Sequence, residues 1–277
     1  MASQVQPQGT FQMNGLMAGR RGVILGLANN RSIAWGIAKA CREAGAELAF
    51  TYQGEAFGKR LEPLAKSVDS DFLMPCDVED IGTVDAVFAK LKEKWGKIDF
   101  LVHSIGFSDK NELKGKYADT TRANFSRTMV ISAFSFVEVT KRAAELMPDG
   151  GALITLTYGG SVRVMPNYNV MGVAKAALEA SVRYLAADYG PQGIRVNAIS
   201  AGPMRTLAGA GIGDARAMFA FQEKHAPLRR TVTLEEVGGA GLYLLSSLSG
   251  GVTGEIHYVD SGYNIISMPR PEDVAKV

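Results

Sequence analysis

Two tyrosines and a lysine within one short stretch are the residues of this chain best suited to chemistry. The stretch runs from Tyr158 through Pro166 and Tyr168 to Lys175. Pro166 suits the start of a helix, which puts Tyr168 in the first turn and Lys175 two turns on. Seven residues at about 100° each leave the two side chains about 20° apart in projection and roughly 10 Å apart along the axis. A phenol and an ammonium on one helical flank can divide labour at a nucleotide crevice. Lys175 can hold the ribose hydroxyls of a nicotinamide nucleotide, and its charge favours oxyanion character at the phenol. Tyr168 can hydrogen-bond an oxygen on which negative charge grows as hydride arrives. One well-placed donor of this kind is typically worth about 3–4 kcal/mol in rate. Helices carry Tyr and Lys at this spacing by chance, so the weight of the pair comes from its place after an apolar run. Tyr158 ends that run and faces the same space, either as a wall of a substrate pocket or as a rim aromatic with no chemical role.

Other chemistries find little in the sequence. His103, His225 and His257 are scattered without metal-ligand spacing and read as structural, so no metal is expected. There is no G-x-S-x-G elbow and no Walker A loop.

The elements that must position these residues alternate along the chain. Apolar runs at 20–26, 46–52, 71–76, 98–104, 152–157, 194–200 and 255–260 predict strands buried on both faces. Helical spacing predicts helices near 33–44, 55–68, 80–95, 120–147, 168–189, 214–225 and 234–247, the fifth with Leu178, Val182, Leu185 and Tyr189 on one face. Such alternation implies a single-domain α/β fold, a doubly wound Rossmann-type parallel sheet of about seven strands with helices on both faces. Residues 1–18 read as a flexible arm, 19–266 as the domain and 267–277 as a tail. Ligands of such sheets bind beyond the carboxyl ends of the strands, and the residues there are the ones to question.

After the first strand come Gly26, permitting a tight turn, and Ser32, an expected N-cap whose neighbour Ile33 offers a backbone donor to a phosphate. Both residues could equally serve only to end a strand and begin a helix, because G-x-G-x-x-G is absent. Gly209, Gly211 and Gly213 open no strand–helix unit. Gln53 ends the second strand, where an acidic residue usually meets the adenosine ribose. An amide can bond a 2′-hydroxyl but does not attract a 2′-phosphate, which favours NADH over NADPH. Asp77 could hold the adenine amino group with Val78 adding a backbone contact, or cap the following helix, or do both. The segment from Met204 to Phe221 is apolar and rich in Gly and Ala, as would suit either a substrate lid, spanning about 203–225, or an ordinary helix packed on the core.

Composition narrows the class. In 277 residues, 47% are hydrophobic and 21% charged, ordinary for a globular chain, and the net charge of +2 with no basic stripe argues against nucleic acid. No run reaches the roughly 18 apolar residues that span a bilayer, and the polar first residues carry no signal-peptide core. Cys41 and Cys76 make no disulfide framework. A reduced, cytoplasmic protein without membrane insertion is expected.

Taken together, the blocks SIAWG (32–36) after Gly26, ELAFTYQ (47–53), CDV (76–78), VHSIGF (102–107), PNYNVMGVAKAALEA (166–180), RVNAISAGPMRTLA (195–208) and RRTVT (229–233) resemble the bacterial NADH-dependent enoyl-[acyl-carrier-protein] reductases. That family is a divergent branch of the short-chain dehydrogenases, and the likeness runs over nearly all of residues 20–262. Ordinary members of the wider group carry Tyr and Lys four apart and an N-A-G motif. Here Met171 stands four before Lys175, and HSIG (103–106) replaces N-A-G. The phenol is thereby moved about one helical turn, which fits a thioester enolate oxygen better than a carbonyl at the hydride-accepting carbon.

The resemblance implies that Tyr168 and Lys175 are the active-site Tyr and Lys and Tyr158 the second active-site Tyr. It implies cofactor contacts at Gly26, Ser32, Ile33, Gln53, Asp77, Val78, Ile105, Lys175, Met204, Arg205, Thr206, Leu207 and Ala208. Ser108 falls at a substrate-contacting position where related sequences commonly have Ala, and Gly159 where a larger residue is common. An enoyl-acyl carrier protein substrate, a place in fatty acid elongation and a homotetramer are also implied. Arg205, Lys224, Arg229 and Arg230 could dock the acidic carrier protein or be ordinary surface charge. Two other functions stay compatible: a short-chain carbonyl reductase or alcohol dehydrogenase, and a non-catalytic dinucleotide-binding sensor.

Overall fold

The computed structural model describes residues 15–204, 206, 215–270 and 273. The seven apolar runs form β1 (Arg21–Leu25), β2 (Glu47–Tyr52), β3 (Leu73–Pro75), β4 (Phe100–His103), β5 (Gly151–Thr157), β6 (Ile194–Ala201) and β7 (Ile256–Val259). They make one sheet in the order β3-β2-β1-β4-β5-β6-β7, every neighbouring pair parallel. The chain winds outward from β1 to β3, then returns to lay β4 on the other side of β1. The switch between β1 and β4 opens the crevice in which such sheets take ligands.

The helices are α1 (Ile33–Glu43), α2 (Glu55–Lys66), α3 (Ile81–Trp95), α4 (Arg122–Met129), α5 (Ser135–Ala144), α6 (Asn169–Tyr189), α7 (Ala215–His225) and α8 (Leu234–Leu245). Side chains alternate across each strand, and the core divides accordingly. Val23, Leu25, Leu101 and Leu153 face a layer from α3, α5 and α6 that includes Leu91, Phe136, Leu178 and Val182. Ile24, Phe50, Phe100 and Ile154 face Ile37 and Cys41 of α1 and Leu242 of α8. Each such side chain, fully buried, contributes roughly 1.5–3 kcal/mol. Leu185 joins the first layer and Tyr189 packs against it, completing the expected apolar face of α6.

Helix α1 is pressed onto α8. A Cβ on Gly36 would lie 2.5 Å from the carbonyl oxygen of Leu234, and one on Gly238 would lie 2.5 Å from that of Gly36. Only glycine at both positions allows this crossing, and it sets the helix whose N-terminus faces the crevice.

Three expectations need correction. The helix expected over 120–147 runs without a gap from Arg122 to Ala144, but it widens into a π-helical turn, Val130–Phe134, between α4 and α5. Within and just after that turn, buried Ser132 and Ser135 both point inward, toward the backbone of Phe107 and the ring of His103. Helix α3 is capped by Asp80, whose side chain accepts from the Gly82 N–H at 3.0 Å, and not by Asp77. The arm expected to run to residue 18 is anchored before that. Met17 is 2% exposed, and its N–H donates to the Ala44 carbonyl. Residues 1–14 lie outside the described residues.

Candidate active site

Helix α6 starts one residue after Tyr168, so the phenol stands just before the first turn. Its neighbours Asn167 (φ 62°) and Asn169 (φ 38°) both adopt positive φ, a region that Asn tolerates better than most residues. The Asn169 side chain donates to the carbonyls of Glu112 and Lys114, tying this break to the loop before α4. Tyr168 is 7% exposed and packs with Leu113, Val170 and Met171. Its ring meets that of Tyr158 edge-on, with centroids 5.2 Å apart and planes at 74°. Tyr158 follows β5, is half-buried, and lines a cavity of about 30 Å³ with Met165, Gln222 and Tyr263 among others, room for one or two waters.

Lys175 is 7% exposed, and its Nζ donates to the Leu156 carbonyl at 2.8 Å. Burial lowers its pKa to about 8, with the Glu179 carboxylate acting in the opposite sense. A Cβ on Gly106 would lie 3.7 Å from both Lys175 Nζ and Met171 Cε. The HSIG segment therefore passes directly over the lysine. Burial raises the Tyr168 pKa, with Tyr158 and Glu179 adding to the shift, and pushes the Tyr158 pKa up to about 12. Lys175 was expected to favour oxyanion character at the phenol. Instead the phenol is held protonated, as a hydrogen-bond donor must be.

Beneath this surface lies a buried polar layer. The His103 ring nitrogens lie 2.9 Å from Thr155 Oγ1 and 2.9 Å from Ser135 Oγ, and the Ser135 hydroxyl donates to the Ile131 carbonyl. With that hydroxyl proton committed, Nε2 of His103 must be the donor to Ser135. Burial first, and the Lys175 charge second, lower the His103 pKa to about 3. The ring is neutral and structural, as the sequence suggested. Ser132 accepts from the Phe107 N–H and donates to the Phe107 carbonyl, clamping the HSIG loop.

The nucleotide end is assembled from three strand ends. Gly26 has φ +85°, and a Cβ there would lie 2.2 Å from the Ser104 carbonyl oxygen and 2.9 Å from Ile105 Cγ1. No other residue fits where β1 and β4 part. Ser32 occupies the N-cap position of α1, but its hydroxyl accepts from the N–H groups of Ala28 and Asn29 rather than capping the helix. The hydroxyl shapes the turn and leaves the first N–H groups of α1, Ile33 included, directed at the crevice. Gln53 Nε2 donates to Asp77 Oδ2 at 2.9 Å, and Asp77 Oδ1 accepts from the Glu79 N–H. Val78 is buried in the core, leaving its backbone for contact. Helix N–H groups for phosphate, an amide and a carboxylate for ribose and adenine, and an ammonium for the second ribose form a donor set that fits a dinucleotide. Among the described residues no cluster of His, Cys, Asp and Glu could hold a metal ion.

The profile of a family described as Enoyl-(Acyl carrier protein) reductase matches residues 26–264. The chain belongs to the enoyl-acyl carrier protein reductase family. It is 77% identical over 260 residues to "Enoyl-[acyl-carrier-protein] reductase [NADH] 2" of Rhizobium meliloti, covering 94% of this chain and 97% of that one. A solved enoyl reductase from Anaplasma phagocytophilum, in complex with NAD, superposes with a TM-score of 0.91 at 53% identity, covering 94% of this chain and 100% of that one. A Bacillus cereus enoyl-acyl carrier protein reductase with NADP+ and indole naphthyridinone superposes at 0.90 with 49% identity, covering 91% and 99%.

For an enoyl-acyl carrier protein reductase, the structure brings together Tyr158, Tyr168, Met171 and Lys175 on one side and Gly26, Ser32, Ile33 and Ile105 on the other. Met204 packs against the core and its carbonyl accepts from the Thr206 N–H; Arg205, Leu207 and Ala208 lie outside the described residues. Ser108 is turned toward α4, where its hydroxyl accepts from Thr128 Oγ1 at 3.0 Å and Asn124 Nδ2 at 3.2 Å. Of the suggested basic patch, the described residues Lys224, Arg229 and Arg230 have partners within the chain. Lys224 donates to the Asp273 carbonyl, Arg229 pairs with the Asp273 carboxylate, and Arg230 pairs with Glu236. The sequence reading missed Ser132, Thr157 and Glu179. A glutamate one turn after Lys175 on an otherwise apolar face was the available signal for the last.

Proposed function

We propose that this enoyl-acyl carrier protein reductase uses NADH to reduce the trans-2 double bond of enoyl thioesters in the elongation cycle of fatty acid synthesis. The observation that carries the reading is the edge-on pair of phenols, half-buried Tyr158 and buried Tyr168, beyond the end of β5, the strand whose Leu156 carbonyl accepts from the Lys175 ammonium. When bound, NADH would supply the hydride for the β-carbon of the substrate. Lys175 holds the nicotinamide ribose with the donor protons left over from Leu156. Tyr168, kept protonated by its surroundings, donates to the thioester oxygen as that oxygen gains enolate charge, and a proton from solvent then adds at the α-carbon. Tyr158 walls the acyl site and orients Tyr168 through its ring edge. Hydride transfer is favoured because the donor is fixed before charge develops, so little reorganisation is needed.

The same reading assigns Gly26, Ser32, Ile33, Gln53, Asp77, Val78, Ile105 and Met204–Ala208 to the cofactor, the region about 203–225 to a substrate lid, and Ser108 to contact with the substrate. It makes the protein cytoplasmic; among the described residues no helix is long and apolar enough to cross a membrane. It also makes the protein a homotetramer, supported by apolar Val130 (42% exposed) and Phe134 (52% exposed) on the α4–α5 face. Light scattering gives the stoichiometry directly.

The deciding assay follows NADH consumption with crotonyl and longer enoyl thioesters, with the matching ketoacyl thioesters in parallel. Turnover of the enoyl series is expected. Turnover of the ketoacyl series alone would make this a carbonyl reductase, and turnover of neither with NADH still bound would make it a sensor.

A further inference from the structure

One turn beyond Lys175 on α6 lies a second buried charge, Glu179, 5% exposed. The two residues are tied to consecutive positions of β5. Lys175 Nζ donates to the Leu156 carbonyl at 2.8 Å, and the Thr157 hydroxyl donates to Glu179 Oε1 at 2.6 Å. Thr157 in turn immediately precedes Tyr158. A carboxylate this deep is costly to desolvate and persists only where something charged or strongly polar answers it. The groups around Lys175 narrow what that is. His103 of β4 is neutral, Tyr158 and Tyr168 are held protonated, and among the described residues Glu179 is the anion whose field acts on the lysine.

We propose that Glu179 is a positioning residue for the reduction, a buried counter-charge, fixed by Thr157, that keeps Lys175 protonated at the end of β5. The inference rests on reading Lys175 as the residue that holds the nicotinamide ribose. Burial lowers the lysine and the carboxylate raises it, and with both in place its pKa is about 8. Without that charge the ammonium would be lost within the range where the enzyme must work.

The test is NADH binding, followed by nucleotide fluorescence from pH 5.5 to 9, on the wild-type protein and on E179Q and K175A. Glutamine keeps the shape and still accepts from Thr157, so only the charge is removed. The alkaline limb of NADH binding should move down by about one pH unit in E179Q, as expected for loss of one nearby opposite charge. Affinity would then be about fivefold weaker at pH 8 and nearly unchanged at pH 6. An E179Q limb that coincides with wild type, or a loss equal at all pH values, overturns the proposal. If K175A binds and turns over NADH normally, the underlying reading of Lys175 fails instead, whatever E179Q does. Should E179Q not fold, infrared spectra of the unmodified protein with ¹³C-labelled glutamate decide. A protonated Glu carbonyl band at pH 7 overturns the proposal, since a neutral acid supplies no counter-charge, and an ionised carboxylate alone upholds it.

Discussion

Gln53 donates its side-chain amide to Asp77 across the ends of β2 and β3, at 2.9 Å. That bond commits one amide proton of Gln53, leaves its amide oxygen free to accept, and holds a carboxylate beside it. A ribose 2′-hydroxyl can donate to these acceptors, whereas a 2′-phosphate would meet the negative charge of Asp77 with no cation at either residue to answer its own.

NADH should therefore be preferred over NADPH, even though the Bacillus cereus relative is described with NADP+. Gln53→Arg supplies a charge-assisted donor and should improve kcat/KM for NADPH by about tenfold, equivalent to about 1.4 kcal/mol. Parallel kinetics with the two nucleotides measure the ratio.

Tyr168→Phe removes the donor to the growing enolate charge. A fall in kcat of roughly 10²–10³ is expected, with the NADH dissociation constant little changed. Lys175→Ala should do the reverse first, weakening NADH binding before chemistry is examined. Steady-state kinetics together with nucleotide titration separate the two.

The neutral His103 gives stability a sign with pH. Its folded pKa of about 3 lies far below the ordinary 6.5, so between those values the unfolded chain binds a proton that the folded protein does not. Stability should fall as pH drops from 6.5 toward 3, at about 1.4 kcal/mol per pH unit once below the unfolded value. Lys175 acts in the opposite pH range. Its folded pKa of about 8 lies below 10.5, so its burial destabilises the fold below pH 8 and that penalty is relieved as pH rises through 8 to 10.5. Urea denaturation across pH, with His103→Gln as the comparison, should show a flatter acid limb in the variant.

Ser108→Ala deletes the acceptor for Thr128 and Asn124. About 1 kcal/mol of stability should be lost, read as a lower thermal midpoint. The KM for enoyl thioesters should change more than the KM for NADH, because the affected loop borders the acyl side.

Much of this arrangement was legible in the residues, for physical reasons that differ from part to part. Strands buried on both faces leave uninterrupted apolar runs, so all seven stood out, and Lys175 could be placed on the helix after β5; Tyr168, expected in the first turn of that helix, stands one residue before it because Asn167 and Asn169 take positive φ. The π-helical turn at Val130–Phe134 could not be read, because the roughly 100° phase shift of one extra residue is hard to see between helices of only 8 and 10 residues. Asp77 and Asp80 both stand before α3 and either could cap it; the outcome depends on Gln53 reaching Asp77 from another strand. The raised pKa of Tyr168 was missed because it comes first from burial, with Tyr158 and Glu179 adding to it, and burial is a property of the fold. Lys175 finds its own partner in a backbone carbonyl, which no residue type announces.

The crevice has a history built into its connectivity. Its two walls, β1 and β4, are neighbours in space, and the Arg21 N–H meets Asp99 Oδ2 across 78 residues of chain. During synthesis the first wall must wait until β2 and β3 have been laid down on its other edge. Partly made chains thus expose the unpaired flank of β1, and pairing over such distances is slow. Nucleotide affinity should be absent from nascent chains that stop before β4, and appear only after His103 has cleared the ribosome.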